Sequence, residues 1–169
     1  PKSVVAELYR ANEIDNFDTA AARITTRENV ELIYLVSHAV DENCGPVFSY
    51  EFENATVKYD ESVSNDIIVE FNDGRKKVYG NPFADSFKKT WVVLDAIKGE
   101  AEIPCKPETA LPHVISIKGM QDSVTEISEF AADLVKIKLD EDGNEKGLYV
   151  DGLFETMKQC YRDWNLPHE

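Results

Sequence analysis

Between Ser86 and Ser123 the hydrophobic pattern takes up the period of a helix twice, with a proline-bearing connection in between. In the first stretch Phe83, Phe87, Trp91, Leu94 and Ile97 recur at spacings of four, four, three and three, which places them on one face of a helix with 3.6 residues per turn. Gly99 ends that helix, because glycine accepts the left-handed conformation of a helix cap, and Lys98 suits the negative end of the helix dipole. Pro104 and Pro107 keep the connection extended as far as Glu108 and Thr109. Ala110, Val114, Ile117 and Val124 then form a second apolar stripe. Pro112 falls in the first turn or two of that helix, where a missing N–H costs few internal hydrogen bonds.

What precedes this helical pair reads as strands. Val4 to Arg10 and Thr19 to Thr26 are extended segments either side of a polar loop, Asn12 to Asp18, whose Asn and Asp residues favour turns. Val30 to Ala39 is apolar at nearly every position through Leu35, the pattern of a central strand covered on both faces. Phe48, Tyr50 and Phe52 alternate with Ser49, Glu51 and Glu53, as in a sheet with one wet face. Asp66 to Asn72 and Arg75 to Tyr79 flank Asp73-Gly74, a dipeptide that accepts the positive backbone angles of a tight hairpin. After the helical pair, Leu134 to Leu139 and Gly147 to Val150 flank a further turn, and Leu153, Met157, Cys160, Tyr161 and Trp164 mark a last helix with Asp151 placed to cap it. Strands grouped ahead of helices argue for an α+β fold, a mostly antiparallel open β-sheet with helices packed on one face.

A chain of 169 residues buries about 70% of its unfolded surface, enough for one self-supporting core, so a single domain over 1–169 is expected. The formal charge of −14 repels a phosphate backbone, and the only basic runs, Arg75-Lys76-Lys77 and Lys88-Lys89, read as solvated faces. Nucleic acid and anionic membranes are therefore not expected partners. Cys44, Cys105 and Cys160 are odd in number and lack a C-x-x-C spacing, which points to reduced thiols and a cytoplasmic location. No apolar segment approaches bilayer length, and PKSVVAELYR lacks the apolar core of a secretion signal.

The order of elements resembles the C-terminal domain of the glucose-fructose oxidoreductase and inositol dehydrogenase family. The positions that carry the resemblance are Phe87 to Gly99, Ile103 to Pro107 and Ala110 to Ser123, together with AELYRANEIDNFDTAA from Ala6 to Ala21 and EFENATVKY from Glu51 to Tyr59. The resemblance covers roughly Ser3 to Ser123. It implies a substrate-binding and assembly domain of a two-domain oxidoreductase acting on a sugar, cyclitol or related polyol. NAD or NADP is then the expected cofactor of the full-length enzyme, a small polar substrate its ligand, and a homo-oligomer formed through the sheet face its assembly, with aromatics such as Tyr34, Phe48, Tyr50 and Phe52 available for it. The alternative is a stand-alone, non-enzymatic ligand-binding or oligomerisation domain.

The residues themselves carry little chemistry. No G-x-G-x-x-G or G-x-x-x-x-G-K occurs, so no nucleotide cofactor is expected to bind this chain alone. The family's catalytic Glu-Lys-Pro and its D-x-x-x-H pair are both missing, since Lys106-Pro107 follows Cys105 and no aspartate stands four residues before His38, His113 or His168. This chain alone is thus expected to be inactive, with no catalytic residue assigned. Isolated histidines without partners at ligand spacing argue against zinc, and an EF-hand loop from Asp140 would need glycine where Glu145 stands and glutamate where Asp151 stands, so no metal site is expected. What remains is a polar set: Tyr9, Arg10, Asn12, Asp15 and Asp18 around one loop, and His38 at a strand end, suited to gripping hydroxyl groups. Against that reading stands a plain turn whose Asn and Asp bond their own backbone, whose Arg10 pairs with an acid and whose His38 bonds locally. His168, at the terminus, is assigned no role.

Overall fold

The computed structural model describes all of residues 1–169. Its elements in chain order are β1 (Ser3–Arg10), β2 (Thr19–Thr25), β3 (Glu31–Ser37), β4 (Val47–Glu51), β5 (Ala55–Asp60), β6 (Ser64–Phe71), β7 (Lys76–Gly80), α1 (Lys88–Lys98), α2 (Pro107–Asp122), β8 (Ser128–Glu129), β9 (Val135–Leu139), β10 (Glu145–Val150) and α3 (Leu153–Asp163). The class is α+β, with mostly antiparallel open sheets. The chain divides into two units, one of Pro1–Glu42 with Cys105–Glu169 and one of Asn43–Pro104.

In the first unit the strand order is β3-β2-β1-β8, with β8 parallel to β1 and the other pairs antiparallel. The strand covered on both faces is β2, and the bulkier β3 lies at the edge with Leu32 and Tyr34 exposed. Sequence bulk pointed to the wrong strand. Thr19 and Ala20 to Ala22 are all 1% exposed or less, because small side chains let covering segments approach the sheet closely from either side. On one face Ala6, Leu8, Ala20, Ala22 and Ile24 form a core with Met120 of α2. Gly119 makes that packing possible, since a Cβ there would meet Val4 Cγ2 at 2.8 Å. On the other face the segment after α3 folds back over β1 and β2: His168 N–H donates to Glu7 Oε1 at 3.1 Å, and Arg23 Nη2 donates to the Trp164 carbonyl at 3.1 Å. A second small core joins Ala39, Val150 and Leu153.

The apolar stripes of α1 and α2 lie largely open, whereas α3 buries Leu153 and Cys160 of its expected stripe. Gly99 caps α1 at φ 79° as expected, whereas Pro107, expected in the extended connection, is the first residue of α2, and α1 starts only at Lys88, after Phe83 and Phe87. Packing of α2 on β1 runs through Gly119 and Met120 near its C-terminal end, while Leu111, Val114, Ile115 and Ile117 are exposed. Asp151 does not cap α3; the N-cap is Gly152 at φ 75°, and no side chain caps the helix.

The second unit is a meander, β4-β5-β6-β7, followed by α1. In the β6–β7 hairpin only Gly74 takes positive φ, at 88°. The Gly74 N–H donates to the Phe71 carbonyl at 2.9 Å and the Arg75 N–H to Asp73 Oδ1 at 3.1 Å, so the connection is a longer turn than a two-residue one. Phe48 stacks on Tyr50 at 4.9 Å and on Tyr59 at 5.6 Å, yet Tyr50 and Phe52 remain 50% and 64% exposed. Phe87, the N-cap of α1, and Trp91 and Ile97 within it are 68%, 57% and 78% exposed, so the regular stripe lies open.

Candidate functional site

The loop between β1 and β2 is organised around one buried carboxylate. Asp18, 6% exposed, accepts hydrogen bonds at Oδ2 from the Ala11 and Asn12 N–H groups, both at 2.9 Å, and from Asn12 Nδ2 at 2.7 Å. Its Oδ1 accepts from the Thr19 hydroxyl at 3.0 Å. Four donors on one carboxylate satisfy it where water cannot reach. They also turn the chain so that residues 11–15 form one wall of a groove of about 640 Å³, whose other wall is the stretch from Glu129 to Val135.

Three of the expected residues meet in this groove: Arg10, Asn12 and Asp15. Arg10 leaves β1 at its end and is held twice, by Nη1 donation to the Ile14 carbonyl at 3.0 Å and by Nη2 donation to Glu129 Oε1 at 2.9 Å. The ion pair follows from register, because β8 places Glu129 directly beside Arg10. A guanidinium has five N–H groups, so these two bonds leave donors for a ligand. The Asn12 amide is spent on Asp18, whereas Asp15 is exposed and faces the groove. The local-turn reading is thus met at Asn12 and Arg10 without emptying the groove of polar groups.

Tyr9 and His38 stand apart from it. Tyr9 points to the face covered by the C-terminal segment, where its hydroxyl donates to Glu7 Oε2 at 2.5 Å and lies 2.8 Å from His168 Nδ1. Burial, then the neighbouring Glu7, pushes the phenol far above its ordinary value, so it remains a donor at any ordinary pH. Its ring stacks on Phe130 at 5.1 Å, which supports the groove wall from behind. His38 is exposed at the end of β3; its N–H donates to the Asp18 carbonyl at 2.9 Å, and its ring does not line the groove.

Sequence reasoning missed two parts of this neighbourhood. Glu129 and Phe130 belong to a two-residue strand, too short for any periodicity to announce. His168 forms a close pair with Glu7 Oε2 at 2.6 Å, and its position at the terminus gave no hint of that. Arg23 completes the covered face, with Nη1 on Glu31 Oε1 at 2.7 Å and a second ion pair to Glu169. No cluster of histidine, cysteine and acidic side chains is arranged to hold a metal ion. The Asp140 carboxylate is engaged by its own turn, chiefly by the Asn144 N–H, which with the Asp142 N–H holds it below the ordinary aspartate range.

With this geometry in view, two solved structures are informative. The chain matches the UDP-N-acetylglucosamine 3-dehydrogenase GnnA of Acidithiobacillus ferrooxidans with a TM-score of 0.57 at 15% identity, over 72% of this chain and 40% of that one. It matches an oxidoreductase of Agrobacterium radiobacter, solved with NAD+, L-tartaric acid and magnesium, with a TM-score of 0.54 at 14% identity, over 71% of this chain and 40% of that one. The likeness is one of fold. The chain spans about 40% of the length of each of these two proteins. No family model matches the chain, and no curated protein does.

The residues present do not form a dinucleotide cradle. Seven of the eight glycines take positive φ and the eighth, Gly119, packs inside α2 against Val4. The direct strand-to-helix junction, from β10 into α3, offers a single glycine, Gly152, beside Asp151, whose carboxylate would oppose a pyrophosphate.

Proposed function

We propose that this chain is the substrate-binding and assembly part of an NAD(P)-dependent oxidoreductase acting on a sugar, cyclitol or related polyol. The observation that carries the reading is the groove of the first unit, walled by Arg10, Asn12 and Asp15, on a fold shared with two oxidoreductases. In this reading Arg10 donates to substrate hydroxyl oxygens through the N–H groups that Glu129 and Ile14 leave free, and Asp15 accepts from a hydroxyl. Tyr9 and Phe130 hold the wall in place. The nicotinamide cofactor belongs to a nucleotide-binding part outside these residues, and no proton or hydride step is assigned to this chain. Exposed Leu32, Tyr34, Tyr50 and Phe52 support assembly through sheet faces.

The test is reduction of NAD+ or NADP+ by the full-length native protein against a panel of hexoses, cyclitols and linear polyols. Turnover of at least one of them is expected, with Arg10→Ala and Asp15→Ala each raising KM about ten-fold, as the loss of one good hydrogen bond implies, while kcat holds. Polyol binding without turnover would instead establish a non-enzymatic binding domain. Turnover untouched by both substitutions would remove the groove from the reaction.

A further inference from the structure

The second unit holds an unpaired, buried hydroxyl on a tyrosine that lines a cleft. Tyr59, on β5, is 1% exposed, with its ring 5.6 Å from Phe48 and 6.0 Å from Phe83. Its Oη is buried and has no hydrogen-bond partner. A buried tyrosine hydroxyl ordinarily finds a partner, and one left without costs about 1–3 kcal/mol. Phenylalanine would fill the same space without that cost. The cleft that Tyr59 lines measures about 250 Å³ and is walled by Pro46, Glu61, Asn65, Asn81 and Phe83.

We propose that this cleft binds a small, neutral, hydroxylated molecule of a single ring, of the sugar or cyclitol class, with the Tyr59 hydroxyl as a donor to it. Its size comes first. A volume of about 250 Å³ falls short of the roughly 300–1,000 Å³ typical of drug-sized pockets, so one ring fits and a nucleotide does not. Its charge comes second. Glu61 is the one ionisable wall residue normally charged at neutral pH, so a phosphate or carboxylate would meet repulsion with no cation to offset it.

The hydrogen-bonding inventory comes third. The side chains of Asn65 and Glu61 make no hydrogen bond within the protein, and Asn81 uses only its Oδ1, accepting from the Phe83 N–H at 2.7 Å. Donors and acceptors are therefore both free, the alternation a ring of hydroxyls requires. Pro46 and the Phe83 ring, 57% exposed, offer apolar surface to the C–H face of such a ring. Burial, then Glu61, raises the Tyr59 phenol above its ordinary value, which keeps it protonated as a donor. The inference uses residues of the second unit alone and does not rest on the oxidoreductase reading.

The experiment is an NMR titration of the isotopically labelled chain with glucose, myo-inositol, glycerol and glucose 6-phosphate. Glucose or myo-inositol is expected to shift the side-chain amide signals of Asn65 and Asn81, with glucose 6-phosphate weaker than glucose. Tyr59→Phe and, outside the core, Asn65→Ala are each expected to weaken that binding up to about ten-fold, the effect of one hydrogen bond, while Arg10→Ala leaves it unchanged. No shift with either ring would overturn the proposal and leave Tyr59 to an ordered water. Preference for the phosphate would overturn the ligand class. Binding that survives Asn65→Ala undiminished would place the ligand elsewhere, and this variant decides the matter even if Tyr59→Phe does not fold.

Discussion

Asp18 determines the shape of the groove without lining it. Its four donors come from the loop it organises and from the strand it precedes, so loop and strand are tied at one buried carboxylate. Asp18→Ala would leave two backbone N–H groups and an amide without an acceptor, and each hydrogen bond to a charged group contributes about 1.5–3 kcal/mol. Some of those donors regain water once the loop loosens, so the expected net loss is about 3 kcal/mol. It should appear as a lower urea midpoint with an unchanged slope. Asp18→Asn keeps the shape and one acceptor, and its cost should be about half as large. A midpoint unmoved by Asp18→Ala would mean that the loop is held by other contacts. The same substitution should weaken any ligand that binds through Arg10 and Asp15, since Asp15 stands on that loop and Arg10, at the end of β1, bonds to its Ile14 carbonyl. The sequence grouped Asp18 with the residues expected to grip a ligand, but it is buried beneath the loop and does not line the groove; that burial depends on β1 and β2 meeting in register, which no local pattern states.

Elements were more legible than the contacts between them. Apolar runs and turn residues marked β1, β2, β6 and β7 to within two residues, and alternation marked β4 but carried it past its end at Glu51, since such signals need only local side-chain chemistry. Coverage was not legible, because bulk and burial separate when a strand made of small residues sits in the middle, as β2 does. The contact of α2 with β1 shows what sets such an interface: Gly119 rather than the apolar stripe. Gly119→Ala drives a Cβ to 2.8 Å from Val4 Cγ2 and should cost about 1–3 kcal/mol. Val4→Ala opens that space, so in the double variant the glycine substitution should cost far less, and a double-mutant cycle would read the coupling directly. Additive effects would show that the helix shifts freely away from the sheet.

The C-terminal segment is an element of its own, held on β1 and β2 by ion pairs. Arg23, then the Leu166 N–H, hold the Glu169 carboxyl below the ordinary glutamate range. A carboxyl depressed in the folded state contributes stability that is present above its unfolded value and lost as pH falls through its folded one. The segment should therefore be docked at neutral pH and loosen on acidification below the ordinary glutamate range. The Trp164 indole, which donates to Glu31 Oε1 at 2.9 Å, reports on this through its N–H resonance. Arg23→Ala should abolish that pH response at Trp164 and leave the segment loosened at neutral pH; an unchanged response would show that the Arg23–Glu169 pair does not hold the segment.

At the scale of the whole molecule, much apolar surface is left outside. A helical stripe as regular as Phe87, Trp91, Leu94 and Ile97 ordinarily signals a face pressed against a sheet, yet each of these residues is more than 40% exposed. Periodicity records that the face is apolar; it does not say that this stretch of chain covers it. The two descriptions differ in a measurable way. Were the stripe buried, Trp91→Ser would remove a large core side chain at a cost of about 3 kcal/mol or more. With Trp91 57% exposed, the expected cost to the chain is about 0.5 kcal/mol or less, while Leu8→Ala in the same chain should cost about 2–5 kcal/mol. Urea midpoints of the two variants against the parent make the comparison. A small loss for Trp91→Ser beside a large one for Leu8→Ala fits a helix face left open by its own chain, whereas comparable losses would place that face in a core.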